Sequence, residues 1–175
     1  ASVLGLQATT VTIEVNAARG IRFVLVGLPD NAVKESHERI MAAIENSGYN
    51  FPSRQITINL APADIKKEGS AYDLPIAVGI LAADGIVSSE RLGRYMIMGE
   101  LGLDGGLVPV KGALPIALKA AESGYEGIIL PTANAADLYG YWGQRIADQL
   151  FRESDCIVNL ASKEYSLCVS RYLPE

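Results

Sequence analysis

The sequence predicts an α/β fold in which helices pack on a mixed sheet, and three observations carry that prediction. Hydrophobic residues make up 49% of the 175 positions and charged residues 20%, the balance of an ordinary packed interior rather than a disordered chain. Segments that alternate at period two are interleaved with segments of 3.6 spacing, so strands and helices share one chain. A chain of this length buries roughly 70% of the surface its unfolded form exposes, so it needs no covalent staples.

Thr9–Val15 alternates Thr and Glu with Val and Ile and reads as a half-buried antiparallel strand, and Phe23–Leu28 reads as a buried one. Beyond Gly27, Leu28 and Pro29, Asp30 is a fair N-cap. Val33, His37, Ile40, Met41 and Ile44 then recur at helical spacing until Gly48, giving a helix over about 31–47. Its outer face carries Lys34, Glu35, Glu38, Arg39 and Glu45 and reads as solvated. His37, the single histidine, falls on the apolar stripe and reads as a core or boundary residue.

Gln55–Leu60 alternates again and reads as a strand. Residues 61–70 show no period and concentrate Asp64, Lys66, Lys67 and Glu68, a charged surface loop in which both lysines are exposed by pattern. Asp73–Ala83 is apolar nearly all round, with Asp73 as N-cap and Pro75 in the first turn, and reads as a buried helix. Tyr95–Met98 is a short strand, Gly102–Gly106 carries turn chemistry, and Leu107–Val110 is read as the hairpin partner. A helix over Ala113–Ser123 ends at Gly124, and a buried strand over Gly127–Leu130 ends at Pro131.

Composition shifts near Ala136. Residues 1–136 hold 15 of the 17 glycines, whereas 137–175, under a quarter of the chain, hold half of the 12 aromatics and both cysteines, Cys156 and Cys168. That shift divides the chain into 1–136 and an appended segment 137–175. In the latter, 139–152 reads as an amphipathic helix, Cys156–Leu160 as a strand and Ser162 as the cap of a last helix, the strand being placed to complete the sheet. No apolar run reaches the ~18 residues of a membrane helix and no leader pattern is present, so the cytoplasm is the expected compartment.

The same residues bound the chemistry. A net charge of −5 argues against coating nucleic acid by bulk electrostatics. One histidine and two cysteines without C-x-x-C spacing leave little for zinc or redox-dithiol chemistry. No segment matches G-x-x-x-x-G-K-[ST], so the chain carries no nucleotide-binding loop and needs no cofactor of its own. Asp64 and Glu68 form a carboxylate pair, but with Lys66 and Lys67 between them surface ion pairing explains the set as well as catalysis does.

Several long motifs nevertheless occur in order: VGLPDNAVKES at Val26–Ser36, NSGYNFP at Asn46–Pro52, ITINLAPADIKKEGSAYDLP at Ile56–Pro75 and GELGLDG at Gly99–Gly105, then Pro131 and Asn134. Over about 1–136 the chain thereby resembles the N-terminal domain of the magnesium-chelatase-like ComM family. The resemblance implies a domain similar to ribosomal protein S5 domain 2 and to the proteolytic domain of Lon. It also implies a cytoplasmic parent in which an AAA+ ATPase module follows, using ATP and Mg2+. That parent would form a homo-oligomeric, hexameric ring and handle DNA during natural transformation.

The likeness to Lon is itself a test. The hairpin pattern of that family matches Gly99, Glu100, Leu103, Gly105 and Pro109, but its two lysine positions fall on Leu114 and Ile116. The loop before the helix matches at Lys67-Glu68-Gly69 and puts Ala71 at the nucleophile position, with Ser70 one residue away. The resemblance therefore implies a non-catalytic accessory or assembly domain, whose loop residues Asp64, Lys66, Lys67 and Glu68 contact DNA, a neighbouring subunit or the domain's own ATPase module. A Lon-like serine peptidase using Ser70, or a free-standing binding module, are the alternatives. Residues 138–175 depart from this family; LYGYWG at Leu138–Gly143 and VNLASKEY at Val158–Tyr165 instead resemble a fragment of the YaaA peroxide-stress family.

Overall fold

The computed structural model describes residues 1–139 apart from Leu6. The elements expected beyond these, the helix over 139–152, the strand over Cys156–Leu160 and the helix capped by Ser162, lie outside the described residues. A short antiparallel hairpin, β1 (Ser2–Leu4) with β2 (Gln7–Thr9), comes first and was not expected. The mixed sheet follows: β3 (Thr12–Ala18), β4 (Phe23–Val26) and β5 (Gln55–Ala61), with β5 in the middle, antiparallel to β3 and parallel to β4. The first alternating stretch therefore forms its strand three residues later than its period suggests. The alternation in β5 places Ile56, Ile58 and Leu60 against the core, each 1% exposed or less.

β4 is shorter and more exposed than its composition suggests, because the backbone turns at Gly27. Gly27 has φ +99°, and a Cβ there would sit 2.2 Å from the carbonyl oxygen of Leu60. Only glycine lets the two segments approach so closely. Leu28 continues in the left-handed region at φ 56°, which is costly for a branched side chain. Asp30 then caps the next helix as expected, its Oδ1 accepting the Val33 N–H at 2.8 Å. The helix is split into α1 (Asn31–Lys34) and α2 (Ser36–Asn46). The buried stripe runs Val33, Ser36, Ile40, Ala43 and Ile44. His37 is half-buried at its border, its ring 4.2 Å from Phe23.

α3 (Asp73–Ala83) forms over its expected span and is buried nearly all round. It packs on β3, where Gly79 leaves room for the Val15 methyl group, and on α2. Asp73 is not the N-cap. Tyr72 holds that position, while Asp73 is the first helical residue and directs its carboxylate sideways. β6 (Tyr95–Ile97) pairs in parallel with β9 (Gly127–Ile129), and the hairpin is made instead by β7 (Glu100–Leu101) with β8 (Leu107–Val108). The expected pairing of Tyr95–Met98 with Leu107–Val110 is thus corrected. Met98, still bonded to Ile129, and Gly99, bonded to Ala71, carry the chain from one partner to the next. α4 (Ala113–Glu122) and the short α5 (Ala135–Tyr139) complete the described fold, with Leu138 in the main core beside Ile116 and Ala117.

Candidate functional site

Of the residues singled out in the sequence, those of loop 61–70 and Ala71 gather where β4 and β5 end and α3 begins, whereas Leu114 and Ile116 lie on α4. Two backbone hydrogen bonds join the Gly27–Asp30 turn to loop 61–70: Asp30 N–H donates to the Lys67 carbonyl at 2.9 Å, and Lys67 N–H to the Leu28 carbonyl at 3.1 Å. The second carboxylate oxygen of Asp30 accepts the Gly69 N–H at 3.1 Å. Asp30 is therefore both helix cap and loop staple, which holds residues 62–70 in place beyond the end of β5.

Within that loop the two lysines have different surroundings. Lys66 is exposed and pairs with Glu68 at 2.6 Å, a bond that raises its pKa. Lys67 is buried, at 0% exposure, contrary to the expectation that both ammonium groups face water. Its backbone bridges to Pro29 and its Nζ donates to the Pro62 carbonyl. Burial lowers its pKa, with Asp64 acting in the opposite sense. Asp64 and Glu68 remain exposed.

At the start of α3, Ser70, Ala71 and Asp73 meet the β7 segment. Gly99 N–H donates to the Ala71 carbonyl at 2.9 Å and Leu74 N–H to the Gly99 carbonyl at 3.0 Å. The Ser70 hydroxyl donates to the Glu100 carboxylate. Asp73, 0% exposed, accepts both Arg39 Nε at 2.7 Å and Arg39 Nη2 at 3.0 Å, and the Leu101 N–H at 3.3 Å. Arg39 Nη2 also donates to the Ala32 carbonyl. Burial raises the Asp73 pKa while Arg39 opposes it, and the bond to Asp73 raises that of Arg39. The arrangement is a forked, charge-assisted pair that ties α2 to α3 and the β7 hairpin.

Arg39 was expected on the solvated face. The signal that places it inward is its spacing, three residues after Ser36 and four before Ala43, both buried. The apolar stripe had been phased on His37 and Met41, which only border the core. The Ser70 and Glu100 pairing has no comparable sequence signal, since it joins a loop to the start of β7, 30 residues away.

The positions that the resemblance aligns with the Lon dyad carry aliphatic side chains. Ala71 and Leu114 are partly buried and Ile116, on α4, is 1% exposed. Among the described residues no lysine nitrogen bonds to Ser70 Oγ, and Lys111 points to solvent. Also among the described residues, no group of three His, Cys, Asp or Glu could hold a metal ion, and no helix is long and apolar enough to cross a membrane.

Comparison with known proteins identifies the family of the chain. Residues 13–134 match the family described as subunit ChlI of Mg-chelatase. The chain is 47% identical over 152 residues to YifB of Salmonella typhimurium, an uncharacterised protein, covering 85% of this chain and 30% of that protein. It is 43% identical over 151 residues to competence protein ComM of Haemophilus influenzae, covering 83% and 30% respectively. A UPF0246 protein of Limosilactobacillus fermentum is 39% identical over 114 residues, 64% of this chain and 41% of that one. The chain thus spans about 30% of the length of its ComM and YifB relatives. With most of its residues matched by the family model, and with ComM and YifB as relatives over more than four-fifths of its length, the chain belongs to the Mg-chelatase subunit ChlI family.

Proposed function

We propose that residues 1–136 are a non-catalytic accessory and assembly domain of a longer ComM-like AAA+ ATPase that processes DNA in the cytoplasm. The observation that carries this reading is the state of the Lon-like positions. The hydroxyl nearest the nucleophile position is engaged by the Glu100 carboxylate, and the nucleophile and lysine positions themselves hold Ala71, Leu114 and Ile116. A Ser and Lys dyad needs an amine to take the hydroxyl proton; here a structural ion pair, Arg39 with Asp73, stands at the start of the same helix. The relatives' greater length supports a parent with further modules. ATP and Mg2+ belong to such a module, since these residues contain no loop that fits a nucleotide. We also propose a join near residue 137, supported by the shift in composition.

A DNA contact through paired Lys66 and Lys67 loses its premise, because only Lys66 is exposed. The peptidase alternative instead requires the Ser70 hydroxyl to be reactive. A fluorophosphonate probe decides between the two. The reading expects no label at Ser70 and identical behaviour of S70A, whereas labelling that S70A abolishes would establish a reactive serine.

A further inference from the structure

β4 is an open edge of the mixed sheet. The Arg22 carbonyl accepts the Ile56 N–H at 2.8 Å, and the register sets Phe23 beside Ile56 and Leu25 beside Ile58. In a parallel ladder that phase turns the amides of Val24 and Val26 towards β5, and the amides and carbonyls of Phe23 and Leu25 away from it. Among the described residues no strand pairs on that outer side. The opposite edge, β3, is guarded by Glu14, which stands in its middle on the exposed face and is bonded to Asn59 at 2.7 Å. A charge within an edge strand deters further pairing, whereas β4 is a run of Phe, Val, Leu and Val without one.

Exposed apolar surface is concentrated along the same edge. Of the eight exposed large hydrophobic side chains among the described residues, three fall within 21–28: Ile21 at 91%, Val26 at 43% and Leu28 at 55%. Alternation sets Arg22, Val24 and Val26 on one face of the strand. Exposed Arg19 and Arg22 stand where the strand begins, and neither takes part in an ion pair among the described residues. From this combination we propose that β4 is a docking edge for an extended segment of another protein, which adds to the sheet as a fourth strand. The outward amides and carbonyls supply the main-chain bonds, and the row of side chains selects the segment. It carries β-branched residues opposite Val24 and Val26 and a carboxylate at the arginine end. A second copy of this chain lacks that carboxylate, because residues 19–28 hold two arginines and no acid. The inference goes beyond the accessory role proposed above and does not rest on it.

Amide hydrogen exchange, followed residue by residue by NMR on the full 175-residue chain, tests it. The probe is a short peptide of alternating valine and threonine with glutamate at both ends, so that either strand direction brings a carboxylate to Arg22. A twin with lysine at both ends is the control. In the free chain the Phe23 and Leu25 amides should exchange roughly tenfold or more faster than those of Val24 and Val26. The glutamate peptide should slow both, less effectively as salt rises, and the lysine twin should not. R22E should reverse that preference. V26K sets a charge in the edge without removing a bond to β5 and should abolish protection by the glutamate peptide; a Val24 amide that stays protected shows that the variant is folded. The proposal would be overturned by a glutamate peptide that leaves Phe23 and Leu25 exchanging freely, by R22E with the wild-type preference, or by V26K with wild-type protection. Protection of the two amides without peptide would also overturn it: growing with concentration it would assign the edge to a second copy, and constant with concentration to the chain itself. None of these outcomes touches the Ser70 labelling experiment, so failure of the docking edge is separable from failure of the non-catalytic reading.

Discussion

Arg39 and Asp73 form the contact on which the local arrangement most depends, with side-chain exposures of 22% and 1%. Removing the guanidinium leaves a carboxylate in the core with only the Leu101 N–H for company, and an uncompensated buried charge of this kind costs about 3 kcal/mol. R39M should therefore lower unfolding stability by that amount in urea titration. Much should return in R39M/D73L, where the second charge is also gone; a loss below about 1 kcal/mol would mark the pair as an ordinary surface bridge. Lys67 gives a pH signature. Its folded pKa lies below the ordinary 10.5 because of burial, so between the two values the unfolded chain holds the extra proton. Stability from this residue then rises with pH through that window. Thermal melts of wild type and K67M from neutral pH towards 10.5 should move apart in favour of wild type, and parallel curves would contradict the assignment. Neither residue was legible in the sequence. Lys67 sits among charged neighbours in a segment without period, and its burial is set by a carbonyl five residues back and a turn almost forty residues back.

At the scale of elements, period and capping residues were informative wherever one face or all faces were apolar. β5, α3 and α4 stand where the pattern put them, within a residue or so at their ends. The misreadings lie where pairing decides. The β1 and β2 hairpin comprises six residues without strong alternation, and β8 pairs with β7 rather than with the strand preceding the Met98 corner. Pairing of two-residue strands depends on neighbours that no local window contains. The turn after β4 shows the opposite case, a local residue with a long-range reason. Ala at Gly27 would face both a left-handed backbone and the Leu60 carbonyl, and G27A should cost on the order of 3 kcal/mol. A chemical-denaturation curve indistinguishable from wild type would show that β4 and β5 can separate there without loss.

For the whole molecule, the legible part was the scaffold: an α/β domain and membership of a family shared with ComM and YifB. The illegible part was how loop 61–70, α2 and the β7 hairpin converge, because Ser70 with Glu100 and Arg39 with Asp73 each join segments about 30 residues apart. The strand order adds one last consequence. β3 and β4 do not pair with each other; each pairs only with β5, the last of the three in the chain. As the chain emerges from a ribosome, its two outer strands must wait unzipped until residues 55–61 have cleared the exit. Any delay in translation before that point prolongs the life of two bare strand edges.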